Sequence, residues 1–114
     1  MRDPTERVRD ILEAIGQIKR YSQRGQEIFE RDELIQSWCV RHIQIIGEAA
    51  RALPKAVCAQ APDVPWREII GMRHILVHDY FGIDTDAVWE VIAKELPLFE
   101  TQIQALLTLL EDTP

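Results

Sequence analysis

Six side chains that carry charge or move protons fall between residues 67 and 80: Arg67, Arg73, His74, His78, Asp79 and Tyr80. An imidazole, with an unperturbed pKa of about 6.5, exchanges protons near neutrality. A guanidinium keeps its charge and grips anionic oxygens with a planar fork. Proton transfer beside a bound anion is the chemistry such groups serve. Their neighbours Ile69, Ile70, Met72, Ile75, Leu76 and Val77 run almost all round a helix, which predicts a central and largely buried segment. Burying an unpaired charge costs on the order of several kcal/mol, so these groups are expected to be paired, or to open on a shared cleft or interface.

Helical geometry divides them. At about 100° per residue, Arg67, Gly71, His74 and His78 line one stripe, and Arg73 and Tyr80 share another about 140° away. A straight helix therefore separates Arg73 from His78. They converge if the helix end loosens before Gly82, or if a second copy brings its own residues across a two-fold interface. Plainer roles fit the same residues: a histidine hydrogen-bonded in the core, and an arginine paired with Glu48 or Glu68. His74 and His78, four apart, suit a metal, yet no H-E-x-x-H pattern and no third ligand accompany them.

The elements that position this segment are helices. Val8, Ile11, Leu12, Ile15 and Ile18 recur on one face of a first helix, which Gly25 is expected to end. Asp32 is placed to cap a second helix over Glu33 to Leu53, stopped by Pro54. Its apolar stripe is wide enough to touch neighbours on two sides. A short helical turn near Lys55 to Gln60 leads into the rigid Ala61-Pro62-Asp63-Val64-Pro65, and Pro65 suits the start of the helix carrying the polar group. That helix is expected to run through Tyr80 to a left-handed stop at Gly82. Asp84 then caps a last helix with the stripe Val88, Ile92, Leu96, Phe99, Ile103, Leu106 and Leu110, kinked at Pro97. No stretch alternates with the two-residue rhythm of a strand. The fold class is all-α, a four-to-five-helix bundle in a single domain over 1–114.

Composition narrows the function. A chain of 114 residues has room for one core, which excludes a two-domain enzyme. The balance of 13 Lys+Arg against 19 Asp+Glu, a formal charge of −6, excludes a generally basic nucleic-acid footprint and leaves only local contacts. Cys39 and Cys58 lie in apolar helical patterns and are expected to be buried thiols. No run of 18 apolar residues suggests a membrane span and the first residues are charged, so a cytoplasmic location is expected. Trp66 and Trp89 read as packing anchors, and Trp38 as a residue of a dimer face.

The stretch Arg73-His74-Ile75-Leu76-Val77-His78-Asp79-Tyr80 reads R-x4-H-x-Y and resembles the signature of HEPN ribonucleases, specifically the HepT toxins of the HepT/MntA toxin–antitoxin family. Ile45-Ile46-Gly47-Glu48-Ala49-Ala50, Pro65-Trp66-Arg67-Glu68-Ile69-Ile70-Gly71-Met72 and Tyr80-Phe81-Gly82-Ile83-Asp84 resemble its flanking blocks, so the likeness spans nearly the whole chain. It implies a homodimeric HEPN bundle that cleaves RNA, tRNA or mRNA, without a metal or other cofactor. Such cleavage needs a base for the ribose 2′-hydroxyl proton, an acid for the leaving 5′-oxygen and a cation for the charge on phosphorus.

The resemblance gives His78 the role of base or acid and Arg73 that of the cation. It leaves His74, Asp79 and Arg67 as supporting or RNA-contacting residues, with Arg67 a rival for the phosphate because an ideal helix sets it on the stripe of His78. It also makes Tyr80 the residue to which an MntA-type nucleotidyltransferase antitoxin transfers AMP, with ATP and Mg²⁺ as that partner's co-substrates. The rival expectation is a non-catalytic HEPN subunit that only binds and scaffolds a small nucleotidyltransferase.

Overall fold

The computed structural model describes the backbone of residues 3–75, 77–78 and 82–112, and the side chains of 3–72 and 82–112. Seven α-helices and a two-stranded hairpin follow in order: α1 (Pro4–Ser22), α2 (Gln26–Arg31), α3 (Glu33–Arg51), α4 (Lys55–Cys58), α5 (Trp66–Ile75), β1 (Val77–His78), β2 (Gly82–Ile83), α6 (Thr85–Glu90) and α7 (Leu96–Asp112). A π-helical turn, Val91–Glu95, joins α6 to α7. The bundle is all-α apart from the hairpin.

Carboxylate caps set the starts. The Asp3 carboxylate accepts from the Thr5 amide at 2.7 Å with Pro4 in the first turn, and Asp32 accepts from Leu34 and Ile35 at 2.9 and 3.2 Å. Asp84 accepts from Ala87 at 3.0 Å. Each satisfies amides that have no carbonyl partner at a helix start.

The ends depart from expectation at several points. α1 stops at Ser22, three residues before Gly25, whose φ of 100° turns the chain into the unexpected helix α2. α2 is fastened by Gln36, a buried polar residue of α3, whose amide donates to the carbonyls of Phe29 at 2.9 Å and Glu30 at 3.2 Å. Gln36→Met keeps most of the volume but strips both carbonyls of their donor. It is expected to lower unfolding free energy by about 1–3 kcal/mol in urea titrations; an unchanged midpoint would mean that α2 is held by packing alone.

The core forms where the stripes meet. Val8, Ile11, Ile15 and Ile18 of α1 are fully buried, with Cys39, Ile43 and Ile46 of α3 and Phe99, Ile103 and Leu106 of α7. α3 lies between α1 and α5, and α1 between α3 and α7. The two-sided stripe on α3 thus has its two neighbours. Trp66 and Trp89 pack as anchors: Trp66 sits edge-on to Phe99 and donates to the carbonyls of Cys58 and Ala61, and Trp89 packs on Phe29 at 5.3 Å. Cys39 is buried and its thiol pKa is pushed up by burial to about 11. Cys58 is only half-buried, short of the expected full burial, and its pKa is raised by desolvation.

The helix carrying the polar group is the main correction. α5 ends at Ile75 rather than running to Gly82, and Val77 and His78 pair antiparallel with Ile83 and Gly82. Over its described side chains α5 buries one face, Ile69 and Met72, and exposes Arg67 and Glu68. It is amphipathic there, not buried all round. Gly82 does adopt a left-handed φ, 76°, but as a β2 residue opposite His78.

Candidate functional site

The expected site residues all lie at the end of α5 or just beyond it. Arg67 is exposed in the first turn of α5. The backbones of Arg73 and His74 belong to its last turn and that of His78 to β1. The side chains of Arg73, His74 and His78, and the whole of Asp79 and Tyr80, lie outside the described residues.

Termination at Ile75 changes the geometric argument. Arg67, Gly71 and His74 remain on one helix, but His78 has left it and its position is set by the pairing with Gly82. The about 100° per residue rotation that separated Arg73 from His78 and aligned Arg67 with His78 no longer applies across Ile75. The helical case for Arg67 over Arg73 falls away.

Gly82 makes the hairpin possible. A β-carbon there meets no atom within 4 Å, so the cost of a side chain comes from φ alone. Gly82→Ala is expected to destabilise the fold by about 1–2 kcal/mol in denaturant titrations. Gly71→Ala, also in open space but inside α5, is expected to stabilise by about 0.5–1 kcal/mol. Equal effects of the two substitutions would contradict a left-handed requirement at Gly82.

Two grooves open on the bundle. One, of about 770 Å³, runs between α5 and α6 and is lined by Arg67 together with Glu68, Asp84, Asp86, Glu90 and Glu95, over a floor that includes Met72 and Val91. Five carboxylates against one guanidinium repel a polyanion, so an RNA backbone is disfavoured in this groove. The other, of about 790 Å³, lies along α1 and α3 around Trp38, His42 and Ile45.

The second groove was legible only through Trp38. The Trp38 indole N–H donates to the Gln17 carbonyl at 2.8 Å, and its ring packs edge-on against Tyr21 and lies 4.4 Å from that of His42. The His42 Nδ1 lies 2.8 Å from the Trp38 carbonyl, which accepts, so Nδ1 carries a proton. The sequence reading passed over His42; its spacing of four from Trp38 on α3 was the available signal. Among the described residues no cluster of three His, Cys, Asp or Glu side chains is placed to hold a metal, and no helix is long and apolar enough to cross a membrane.

Comparison with known proteins gives a consistent result. Residues 11–106 match the family model described as "Ribonuclease HepT-like". The chain is 43% identical over 81 residues to "Putative RNase TTE0752" of Caldanaerobacter subterraneus subsp. tengcongensis, covering 71% of this chain and 72% of that one. It is 34% identical over 98 residues to "Probable ribonuclease HepT" of Thermococcus cleftensis, covering 85% and 89%. No solved structure matches the chain significantly.

Proposed function

The chain belongs to the HepT-like ribonuclease family, and from that membership we propose that it is a metal-independent endoribonuclease toxin acting through Arg73 and His78. The observation that carries this reading is the end of α5 at Ile75, which places the two motif residues in different elements and frees them from opposite faces of one helix. In the proposed reaction His78 exchanges the proton of the ribose 2′-hydroxyl or of the leaving 5′-oxygen, and Arg73 holds the phosphate as charge builds on it. The product is a 2′,3′-cyclic phosphate. His74, Asp79 and Arg67 support the substrate, which is tRNA or mRNA.

Two copies of the chain form the working unit, with the two motif sets lining a shared groove. A nucleotidyltransferase antitoxin of MntA type is the partner in the cytoplasm, and it silences the toxin by moving AMP from ATP onto Tyr80. One observation favours a second reading, a non-catalytic scaffold for that partner: the acidic groove beside α5 repels RNA.

Incubating purified, partner-free protein with total tRNA in EDTA separates the two. Cleavage to cyclic-phosphate ends is expected. Intact tRNA throughout would remove the enzyme reading and leave the scaffold.

A further inference from the structure

Leu34, Trp38, Arg41, Ile45, Glu48 and Ala52 follow one another along α3 at alternating steps of four and three, so they share a face. It is not the face of Ile35, Cys39, Ile43 and Ala50, which the fold buries. Leu34 is 82% exposed, and Trp38 and Ile45 are half-buried in the groove along α1 and α3.

Measured outward from Ile45, this face complements itself. His42 and Arg41 stand three and four residues before Ile45, and Glu48 stands three after. Trp38, a large side chain, is seven before, and Ala52, a small one, is seven after. If two α3 helices pair antiparallel about a two-fold axis at Ile45, that residue stacks on its own copy. The Arg41 and His42 of each chain meet the Glu48 of the other, and each Trp38 lies over an Ala52. A two-fold interface requires this self-matching of one patch, and large-on-small contacts are what helix packing at close range demands.

We propose that the outer face of α3 is the surface on which a second copy of this chain docks, with the two-fold axis passing at Ile45. The inference rests on the homodimer reading above and supplies its face, axis and pairing. Charge favours this occupant. The groove sets Arg7, Arg20 and Arg41 against Asp10, Glu13 and Glu48, a balance that suits an identical surface and gathers no phosphates. The carboxylate-rich groove along α5 and α6 would repel its own copy. α3 also carries α5 and β2, so each motif segment is one helix away from the second copy.

Light scattering and a cysteine placed on the axis test the proposal. The unaltered protein is expected to scatter at twice its 13.2 kDa chain mass. Ile45→Cys is expected to form a reducible covalent dimer under mild oxidation at pH 8, because facing positions on helices about 8–10 Å apart come within disulfide reach. Ile28→Cys, on exposed α2, is the control and should remain largely uncoupled. The native thiols contribute little background, since burial keeps both protonated. Ile45→Arg should raise the dimer dissociation constant at least about 30-fold with the helical circular dichroism unchanged.

A dimeric mass with no preference for coupling at position 45 would overturn the face while the homodimer reading stands. A monomeric mass would overturn both. Loss of tRNA retention in Ile45→Arg without a change of mass would give the face to RNA and overturn the proposal. None of these outcomes depends on whether the unaltered protein cuts tRNA.

Discussion

Alanine at position 78 is expected to slow RNA cleavage in EDTA by about 10²–10⁴-fold, the range that a positioned proton-transfer group supplies. The fold should survive, because the pairing of His78 with Gly82 is made by the backbone, which alanine retains. Arg73→Ala is expected to cost about 10²–10³-fold, as loss of a single charge-stabilising donor does elsewhere. Arg73→Lys should recover little of this, since an ammonium cannot reproduce the two-point grip of a guanidinium. Arg67→Ala is the informative control. Its side chain is exposed and faces the acidic groove, so cleavage is expected to stay within a few-fold of the unaltered rate. Initial rates on labelled tRNA, with melting curves for each variant, decide the matter. A larger loss at Arg67 than at Arg73 would transfer the phosphate-binding role, and equal rates in all variants would attribute the cleavage to a contaminant.

The second large effect concerns Tyr80. Mixed with the proposed nucleotidyltransferase, ATP and Mg²⁺, the unaltered protein is expected to gain mass in AMP increments and to lose nuclease activity in step. Each added phosphodiester carries negative charge close in sequence to Arg73 and His78, where it competes for the guanidinium and repels the RNA backbone. Tyr80→Phe removes only the acceptor hydroxyl. It should gain no mass and should keep cutting tRNA when the partner and ATP are present. Labelling that persists in Tyr80→Phe would locate the switch on another residue. Labelling without loss of activity would deny it a regulatory role.

Much of the fold could be read from single residues. Asp32 and Asp84 announce helix starts because a carboxylate one position upstream satisfies the first amides, and the buried stripes of α1, α3 and α7 follow from spacings of three and four. α2 escaped because six residues between Gly25 and Asp32 are too few to show a period; only Phe29 reaches the core, and the helix depends on Gln36 from outside it. The end of α5 escaped for a different reason. Leu76 and Val77 continue the apolar pattern, so nothing local marks the boundary, and strand pairing with Gly82 and Ile83 is a non-local contact that periodicity does not register. The candidate site inherits that gap: residue types in the motif were legible, but their mutual placement was not, since it depends on where the helix stops. The groove of α1 and α3 was visible through Trp38 alone, because its walls come from helices that are distant in sequence.

Pro97, expected to kink the last helix, has its effect one turn earlier. It has no amide hydrogen to give the residue four before it and its ring crowds that carbonyl, and the π turn Val91–Glu95 widens the helix there, with the Leu96 amide reaching back five residues to Val91. Such a turn holds one residue more than the α-helix it interrupts. Tolerance to a change in chain length is therefore confined to this place. Deleting one residue between Val91 and Glu95, together with Pro97→Ala, would restore a regular helix and keep Phe99, Ile103 and Leu106 aimed inward. The same deletion further along α7 would swing every later side chain about 100° away from the bundle.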